Sequence, residues 1–169
     1  MDVIVAFGTP PSQAAQAATR TIPIVTVAVG DPVRAGLVAS LAHPGGNVTG
    51  TSLLGPALAP KRLQILKQVI PSAVRVALLV NPNNPANLIV RDEIDPAARD
   101  LGISLIPVEA STVRDLDTNL RGLLSQRPDA LIGTADQFLQ LQVHEIIDFL
   151  ESNRIPAMFS DRTSYSQAV

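Results

Sequence analysis

Polar and small residues stand where apolar segments end, which is where buried strands of a parallel sheet would finish. Ligands of open parallel sheets bind beyond the carboxyl ends of the strands. Acid, amide and hydroxyl groups at such positions could together hold a small polar solute by hydrogen bonds and charge. The sequence therefore predicts a ligand-binding site made of Gly8, Thr9, Asp31, Thr51, Ser52, Asn81, Asp136 and Asp161.

Some of these residues have a purely structural alternative in the first residues of a helix or turn. Asp31 and Asp136 each precede a predicted helix and could act only as its N-cap. Asn81 could simply start an Asn-Pro turn. Gly8 and Thr9 precede a helix whose free N–H groups could bind a carboxylate, or they could form a plain turn.

The remaining candidates are equally open to two interpretations. Thr51 and Ser52 could face a ligand from a strand between two lobes, or could solvate an exposed strand face. Asp161 and Arg162 could bind an amine and a carboxylate, or could pair with each other at the surface.

The histidines do not support catalysis or metal binding. His43 precedes a proline in a turn, and His144 lies in the middle of a helix, facing away from its apolar stripe. A Ser/His/Asp arrangement would need a histidine near Ser52 or Ser160, and a metal site would need several converging ligands. The chain also lacks GxGxxG and GxxxxGK[ST] loops. We therefore predict no catalytic residues, no cofactor and no metal.

Strands and helices are predicted to alternate along the chain, which is typical of a parallel α/β sheet with helices on both faces. The predicted strands cover residues 3–7, 22–29, 47–54, 74–80, 103–108, 130–134 and 155–159. The predicted helices cover residues 12–20, 58–70, 86–101, 112–124 and 136–150. Pro96 predicts a break or kink in the third of these helices, and Gly102 predicts its end.

One more helix is predicted after the second strand. Asp31 would cap it, Pro32 suits its first turn, and His43-Pro44 would stop it. Its apolar stripe would consist of Val33, Leu37, Val38 and Leu41.

Composition excludes several classes of protein. A net charge of −2 gives no basic surface for nucleic acid. The absence of cysteine excludes disulfides and thiolate metal sites. No apolar run approaches the roughly 20 residues that span a bilayer, so we predict no direct membrane insertion. Hydrophobic residues make up 46% of the chain and aromatic residues 3%, so the core must be aliphatic.

The segment GDPVRAGLVASLAHPGGNVTGTSLL, residues 30–54, resembles the substrate-binding proteins of ABC importers, which have the type I periplasmic binding fold. The resemblance extends upstream to DVIVAFGTPPSQAAQAATRTIPIV and downstream to RIPAMFSDR. It implies two Rossmann-like lobes that close on a small-molecule solute, a membrane permease as partner, and a periplasmic or other extracytoplasmic location.

The resemblance also predicts how the chain is divided. Residues 1–54 would form part of one lobe, with the strand 47–54 crossing between lobes, and residues 55–169 would form part of the other. Family members carry an export signal and further strand–helix units before this point, and they continue past it. No export signal follows Met1 here, so the resemblance predicts an internal portion of a longer protein, with both lobes incomplete.

The main functional hypothesis is capture of a small polar solute, with amino acids favoured by the acid, amide and hydroxyl groups at the strand ends. Two alternatives remain at this point. The first is a sensory ligand-binding domain of a regulator, which can share this fold. The second is a doubly wound hydrolase or transferase, although no general base or nucleotide-binding loop is visible.

Overall fold

The structure is a computed structural model that describes residues 2–160. The first sheet contains β1 (Ile4–Phe7), β2 (Ile24–Gly30) and β3 (Val48–Leu53), in the order β1-β2-β3. The second sheet contains β4 (Arg75–Val80), β5 (Ser104–Glu109), β6 (Ala130–Gly133) and β7 (Ala157–Met158), in the order β5-β4-β6-β7. All neighbouring strands are parallel.

Helices follow every described strand except β2 and the last strand, β7. They are α1 (Thr9–Ala18), α2 (Gly55–Val69), α3 (Pro85–Asp100), α4 (Val113–Leu123), α5 (Gln137–Leu141) and α6 (Val143–Ser152). A short 3-10 turn, Leu124–Gln126, extends α4. The predicted α/β fold with two parallel sheets is confirmed.

The second sheet is buried on both faces, which explains the uninterrupted apolar sequence of β4. Side chains of a strand alternate between faces. Val76 and Leu78 pack with Leu63 of α2 and Ile94 of α3 on one face. Leu79 packs with α4 and α6 on the other. Two helical layers therefore hold this sheet.

The first sheet is covered on one face. Ile24 and Val48 pack there with Ala35 and Leu37 of the turn that follows β2. The other face carries Val5, which is 68% exposed and lies beside Val25 in the register. Phe7, at the end of the same strand, is 54% exposed. Within the described residues, an apolar face of the first sheet is thus open to solvent.

The prediction of a helix from Pro32 to Leu41 is wrong. The chain makes a single turn, in which the Leu37 N–H donates to the Pro32 carbonyl over 2.9 Å. Gly36 ends this turn with φ 72°, a left-handed conformation that stops a helix. The Gln13 and Gln16 side chains of α1 then donate to the carbonyls of Ala35 and Leu37, at 2.9 Å each.

Two further helix predictions are corrected. Helix α3 runs unbroken through Pro96, which is exposed, so water can solvate the Asp92 carbonyl that proline leaves without a donor. The helix predicted over residues 136–150 is two helices, α5 and α6, which meet at Gln142 with φ −103° and ψ 14°. Two predicted helix boundaries are confirmed. Gly102, with φ 65°, follows the end of α3, and Thr112 caps the start of α4.

Within residues 2–160, the chain passes from the first sheet to the second at one residue. Strand β3 ends at Leu53 in the first sheet, and α2 begins at Gly55 and packs on the second. Leu54 alone separates them. The predicted strand over residues 47–54 is present, and its part in crossing between two lobes remains a prediction.

Candidate functional site

A cleft of about 300 Å³ lies between the carboxyl end of the first sheet and that of the second. The first sheet contributes the end of β1, the start of α1 and part of β2. The second contributes the loop after β4, the start of α3 and the loop from β6 into α5. The lining includes Phe7, Gly8, Thr9, Arg62, Asn81, Asn84, Asn87, Asp136 and Phe138.

Four of the predicted site residues line this cleft: Gly8, Thr9, Asn81 and Asp136. They come from both sheets, as the position of ligands beyond strand ends implies. The lining does not include Asp31, Thr51 or Ser52, so the expectation that these share the cleft is not met. Asp161, together with the neighbouring Arg162, lies outside the described residues.

The backbone conformation of Asp31 explains why this residue does not line the cleft. Its φ of 48° turns the chain away from the direction of β2. Its Oδ1 accepts a hydrogen bond from the Arg34 N–H over 3.0 Å, so the carboxylate caps the single turn after the strand. The capping alternative describes its contacts, although the segment it caps is a turn and not a helix.

Thr51 and Ser52 lie on the exposed edge strand β3. Both are exposed to solvent. The Thr51 Oγ1 accepts from the Ala28 N–H over 3.4 Å, at an irregularity of β2 where Ala28 has φ 59°. Ser52 lies beside Val29 in the register. Their placement fits the alternative in which they solvate a strand face.

Asp136 is the centre of a buried network on the second-sheet side of the cleft. Its Oδ2 accepts from Asn84 Nδ2 over 2.8 Å, and Asn81 Nδ2 lies 3.2 Å from both oxygens. Its Oδ1 also accepts from the Leu139 N–H over 3.1 Å, which caps α5. These partners are all neutral, and Asp136 is only 7% exposed. A negative charge is therefore held at the cleft wall by amides.

Asn87 joins the ends of two neighbouring strands. Its Oδ1 accepts from the Asn81 N–H after β4 and from the Thr134 hydroxyl after β6, at 2.9 and 2.7 Å. Its Nδ2 donates to the Ala135 carbonyl over 2.9 Å. Because both β4–α3 and β6–α5 loops are tied to one buried side chain, this wall of the cleft is fixed before any ligand arrives.

Sequence reasoning missed Asn84, Asn87 and Arg62. Asn84 is the N-cap of α3 and precedes Pro85, a local pattern that favours a helix start. Its Oδ1 accepts from the Ala86 N–H over 3.0 Å. Asn87 and Arg62 sit inside helices, where nothing in the local sequence distinguishes them from solvated polar residues.

The first-sheet wall of the cleft is the start of α1. Gly8 is its N-cap with φ 83°, and no side chain caps the helix. The Thr9 Oγ1 accepts from the Gly30 N–H over 3.2 Å, which ties the ends of β1 and β2 together. The Ser12 hydroxyl donates back to the Gly8 carbonyl over 2.7 Å. The positive end of the α1 dipole thus borders the cleft.

Most of the remaining lining is apolar, and it includes the two aromatic rings Phe7 and Phe138. Among the described lining residues, Arg62 and Asp136 are the charged pair. The Arg62 Nη1 donates to the Gly133 carbonyl over 3.2 Å, which places the guanidinium at the end of β6. An apolar cleft with one cation and one anion suits a solute that carries both charges.

Two carboxylates of residues 2–160 that lie away from the cleft have clearly lowered pKa values. Backbone hydrogen bonds from Val74 and Arg75 lower the pKa of Asp129, whose carboxylate joins β4 to the start of β6. A hydrogen bond with the Thr112 side chain is the main cause that lowers the pKa of Asp115 in the capping box of α4, and hydrogen bonds with Ser111 lower it further. Both carboxylates stabilise local structure.

Residues 2–160 contain no group of three acidic or histidine side chains that could hold a metal ion. Nor does any helix within that range combine the length and apolarity that crossing a membrane requires.

A family model described as ABC transporter substrate binding protein matches residues 1–168. The chain belongs to this family. A curated relative, the tyrosine-binding protein of Clostridioides difficile, is 32% identical over 165 residues, which is 98% of this chain and 47% of the relative. The members of the family bind substrates and are not enzymes, so the hydrolase and transferase alternative is set aside.

Solved structures agree with the family. A conserved domain protein from Vibrio cholerae is 28% identical with a TM-score of 0.89, over 98% of this chain and 55% of that one. The ABC domain from Streptococcus pneumonia in complex with L-Trp is 22% identical with a TM-score of 0.89, over the same shares. A ligand-free, open substrate-binding protein from Clostridium difficile is 29% identical with a TM-score of 0.62, over 96% and 54%. The chain thus spans about half the length of these relatives.

Proposed function

We propose that this chain belongs to the solute-binding component of an ABC importer, and that its solute is an amino acid with an apolar or aromatic side chain. The closed complex would deliver the amino acid to the permease in the membrane, from a periplasmic or other extracytoplasmic compartment. Substrate binding itself follows from the family. The observation that carries the finer proposal is that Arg62 and Asp136 both line a largely apolar cleft.

In this proposal the two charges of the amino acid meet opposite charges on the cleft wall. The solute carboxylate binds Arg62 and the positive end of α1 at Gly8 and Thr9. The ammonium group lies toward Asp136, whose described hydrogen-bond donors are the Asn81 and Asn84 amides and the Leu139 N–H. Asn81 and Asn84 act by holding that carboxylate in place.

The solute side chain would occupy the apolar part of the cleft, against Phe7 and Phe138. Aromatic rings offer a large contact area and favour offset or edge-to-face packing with another ring. The relatives support this choice of solute: one is named a tyrosine-binding protein, and another was solved with L-Trp.

Lobe closure is the proposed mechanism, with residues 1–54 in one lobe and 55–169 in the other. The cleft walls come from different sheets, so a solute that contacts both walls stabilises their approach. A ligand shifts such an equilibrium only as far as it prefers one state. Contacts to both Thr9 and Arg62 exist in the closed state alone, which supplies that preference. Asp161 remains a predicted contact of the second lobe.

Calorimetric titration of the full-length protein tests the proposal. L-tyrosine, L-tryptophan and L-leucine should bind, whereas glucose should not. Tyramine, which lacks the carboxylate, should bind at least tenfold more weakly than L-tyrosine, because a charge-assisted hydrogen bond contributes roughly 1.5–3 kcal/mol.

Arg62→Met should weaken the binding of L-tyrosine but leave the binding of tyramine unchanged. The matched control is Arg114→Met, which changes an exposed arginine of α4 outside the cleft lining and should alter neither affinity. Equal weakening of L-tyrosine and tyramine by Arg62→Met would show that Arg62 supports the fold of the cleft and does not bind the carboxylate.

A further inference from the structure

We infer that Arg34, with Asp92 and Glu93, forms a charged bridge between the two lobes that raises solute affinity without any contact to the solute. This inference rests on the proposed closure. The Arg34 Nη1 lies 2.6 Å from Glu93 Oε1, and the Nη2 lies 3.3 Å from Asp92 Oδ2. We refer to these two contacts as the Arg34 bridge.

The partners belong to different sheets. Arg34 lies in the turn after β2, and its neighbour Ala35 is buried in the core of the first sheet. Asp92 and Glu93 lie on α3, which packs on the second sheet through Ile94. The Arg34 bridge therefore exists only when the lobes are close together, and opening them separates the charges.

The turn that presents Arg34 is held firmly on the first lobe. The Gln13 and Gln16 side chains of α1 donate to the carbonyls of Ala35 and Leu37 on either side of Gly36. Asp31 accepts from the Arg34 N–H itself. Holding the turn reduces the entropy lost when the guanidinium meets its partners. Asp31, predicted to contact the solute, thus serves the bridge instead.

Arg34 is outside the cleft lining, so we ascribe its effect on affinity to closure and not to contact with the solute. The side chains of Arg34, Asp92 and Glu93 are 41%, 59% and 44% exposed. Exposed ion pairs are weak singly and are screened by salt, but two acceptors on one guanidinium form a small network. We expect the Arg34 bridge to change solute affinity roughly two- to fivefold at low salt.

Charge reversal tests the inference in the full-length protein. Arg34→Glu should weaken L-tyrosine binding several-fold at about 0.02 M salt and much less at about 0.5 M, where screening removes the repulsion. Arg34→Glu combined with Glu93→Arg and Asp92→Asn should restore affinity, because the attraction is rebuilt with the signs exchanged. The matched control is Arg121→Glu, which breaks an ion pair of 2.7 Å within α4 and should leave affinity unchanged.

A distance measurement without any solute separates this inference from the choice of solute. These 169 residues contain no cysteine, so spin labels can be introduced at Ala18→Cys in α1 and Gln68→Cys in α2, which are exposed, once any cysteine elsewhere in the full-length protein is replaced. Arg34→Glu should shift the distribution toward longer label distances, and the compensating variant should reverse the shift.

An unchanged distance distribution in Arg34→Glu overturns the bridge, even if L-tyrosine binds as proposed. A shifted distribution supports the bridge even if L-tyrosine fails to bind, in which case only the proposed solute is wrong. Loss of affinity that is the same at both salt concentrations, with no rescue by the compensating variant, would also overturn it.

Discussion

A methyl group on Gly30 would lie 2.8 Å from the Cβ of Ala86, so the end of β2 touches the first turn of α3 with no room for a side chain. The two residues belong to different sheets. This contact and the Arg34 bridge lie on the same side of the junction between lobes, because both join the end of β2 to α3. The closeness of Gly30 and Ala86 makes glycine necessary for the arrangement observed.

Gly30→Ala should therefore weaken solute binding by obstructing closure. Overpacked sites are destabilised by roughly 1–3 kcal/mol, which corresponds to about five- to a hundredfold in affinity if the closed state alone suffers. Calorimetric titration with L-tyrosine and a thermal melt would separate the two effects. Gly46→Ala, where an added Cβ meets nothing within 4 Å, is the matched control. A large loss of stability with unchanged affinity would contradict this expectation.

Asp136→Ala should destabilise the fold. The change removes the α5 cap and leaves the buried amides of Asn81 and Asn84 without their acceptor. A lost cap and unsatisfied buried donors together predict a decrease of roughly 2–4 kcal/mol in the free energy of unfolding. Urea unfolding measures it. Asp117→Ala, an exposed acid of α4, should have an effect below about 1 kcal/mol.

The same variant tests the proposed ammonium contact. Asp136→Ala should weaken L-tyrosine binding, but it should leave 3-(4-hydroxyphenyl)propionate, which has no ammonium group, bound as before. If the residue acts only as a cap, the folded variant should bind both compounds as the parent does. Calorimetric titrations of the variant and the parent with both compounds, at a temperature well below the melting temperature of the variant, measure this difference.

Stability should fall in acid, partly through Asp129. Its pKa is lowered from the ordinary value of 3.8 by the backbone N–H groups of Val74 and Arg75. The folded state therefore favours the ionised form, and the stabilisation is present above pH 3.8 and is lost as the pH falls through the folded pKa. Asp129→Asn should give a shallower decline of unfolding free energy between about pH 5 and pH 3. Asp115→Asn should reduce the slope further, and an unchanged slope in both would contradict the assignment.

The open face of the first sheet should cause association when these 169 residues are expressed alone. Val5, 68% exposed, and Phe7, 54% exposed, present apolar surface beside the edge of β1, which pairs with no further strand of residues 2–160. Val5→Thr keeps the strand preference but removes apolar surface, so it should reduce association in sedimentation velocity runs. The control is Val69→Thr at the end of α2, since Val69 is 71% exposed and thus similar to Val5.

The sequence predicts those parts of the fold that depend on local pattern. The apolar run of β4 and the Thr112 cap of α4 are visible without coordinates. The missing helix after Asp31 shows the limit of that approach. Its apolar spacing fits a helix, but the carbonyls of Ala35 and Leu37 accept from glutamines of a distant helix, and a left-handed Gly36 ends the turn. Those are tertiary contacts that no short window contains.

The candidate site follows the same division. Strand ends could be read from the sequence, and Thr9 and Asp136, predicted from them, line the cleft. The direction in which the chain leaves each strand could not be read, and this is why Asp31 faces a turn and not the cleft. Asn87 lies inside a helix, and only the pairing of β4 with β6 brings it between two strand ends.

Leu54, the one residue between β3 and α2, makes the joint between the two sheets very short. A hydrogen-bonded strand ends on one side of it, and Pro56, whose ring fixes φ, stands in the first turn of the helix on the other. Rotation at this joint is thus confined to the few torsions from Leu53 to Gly55. Within residues 2–160 the crossing has no spare length, so a change in the relative orientation of the two sheets would have to be taken up by those torsions.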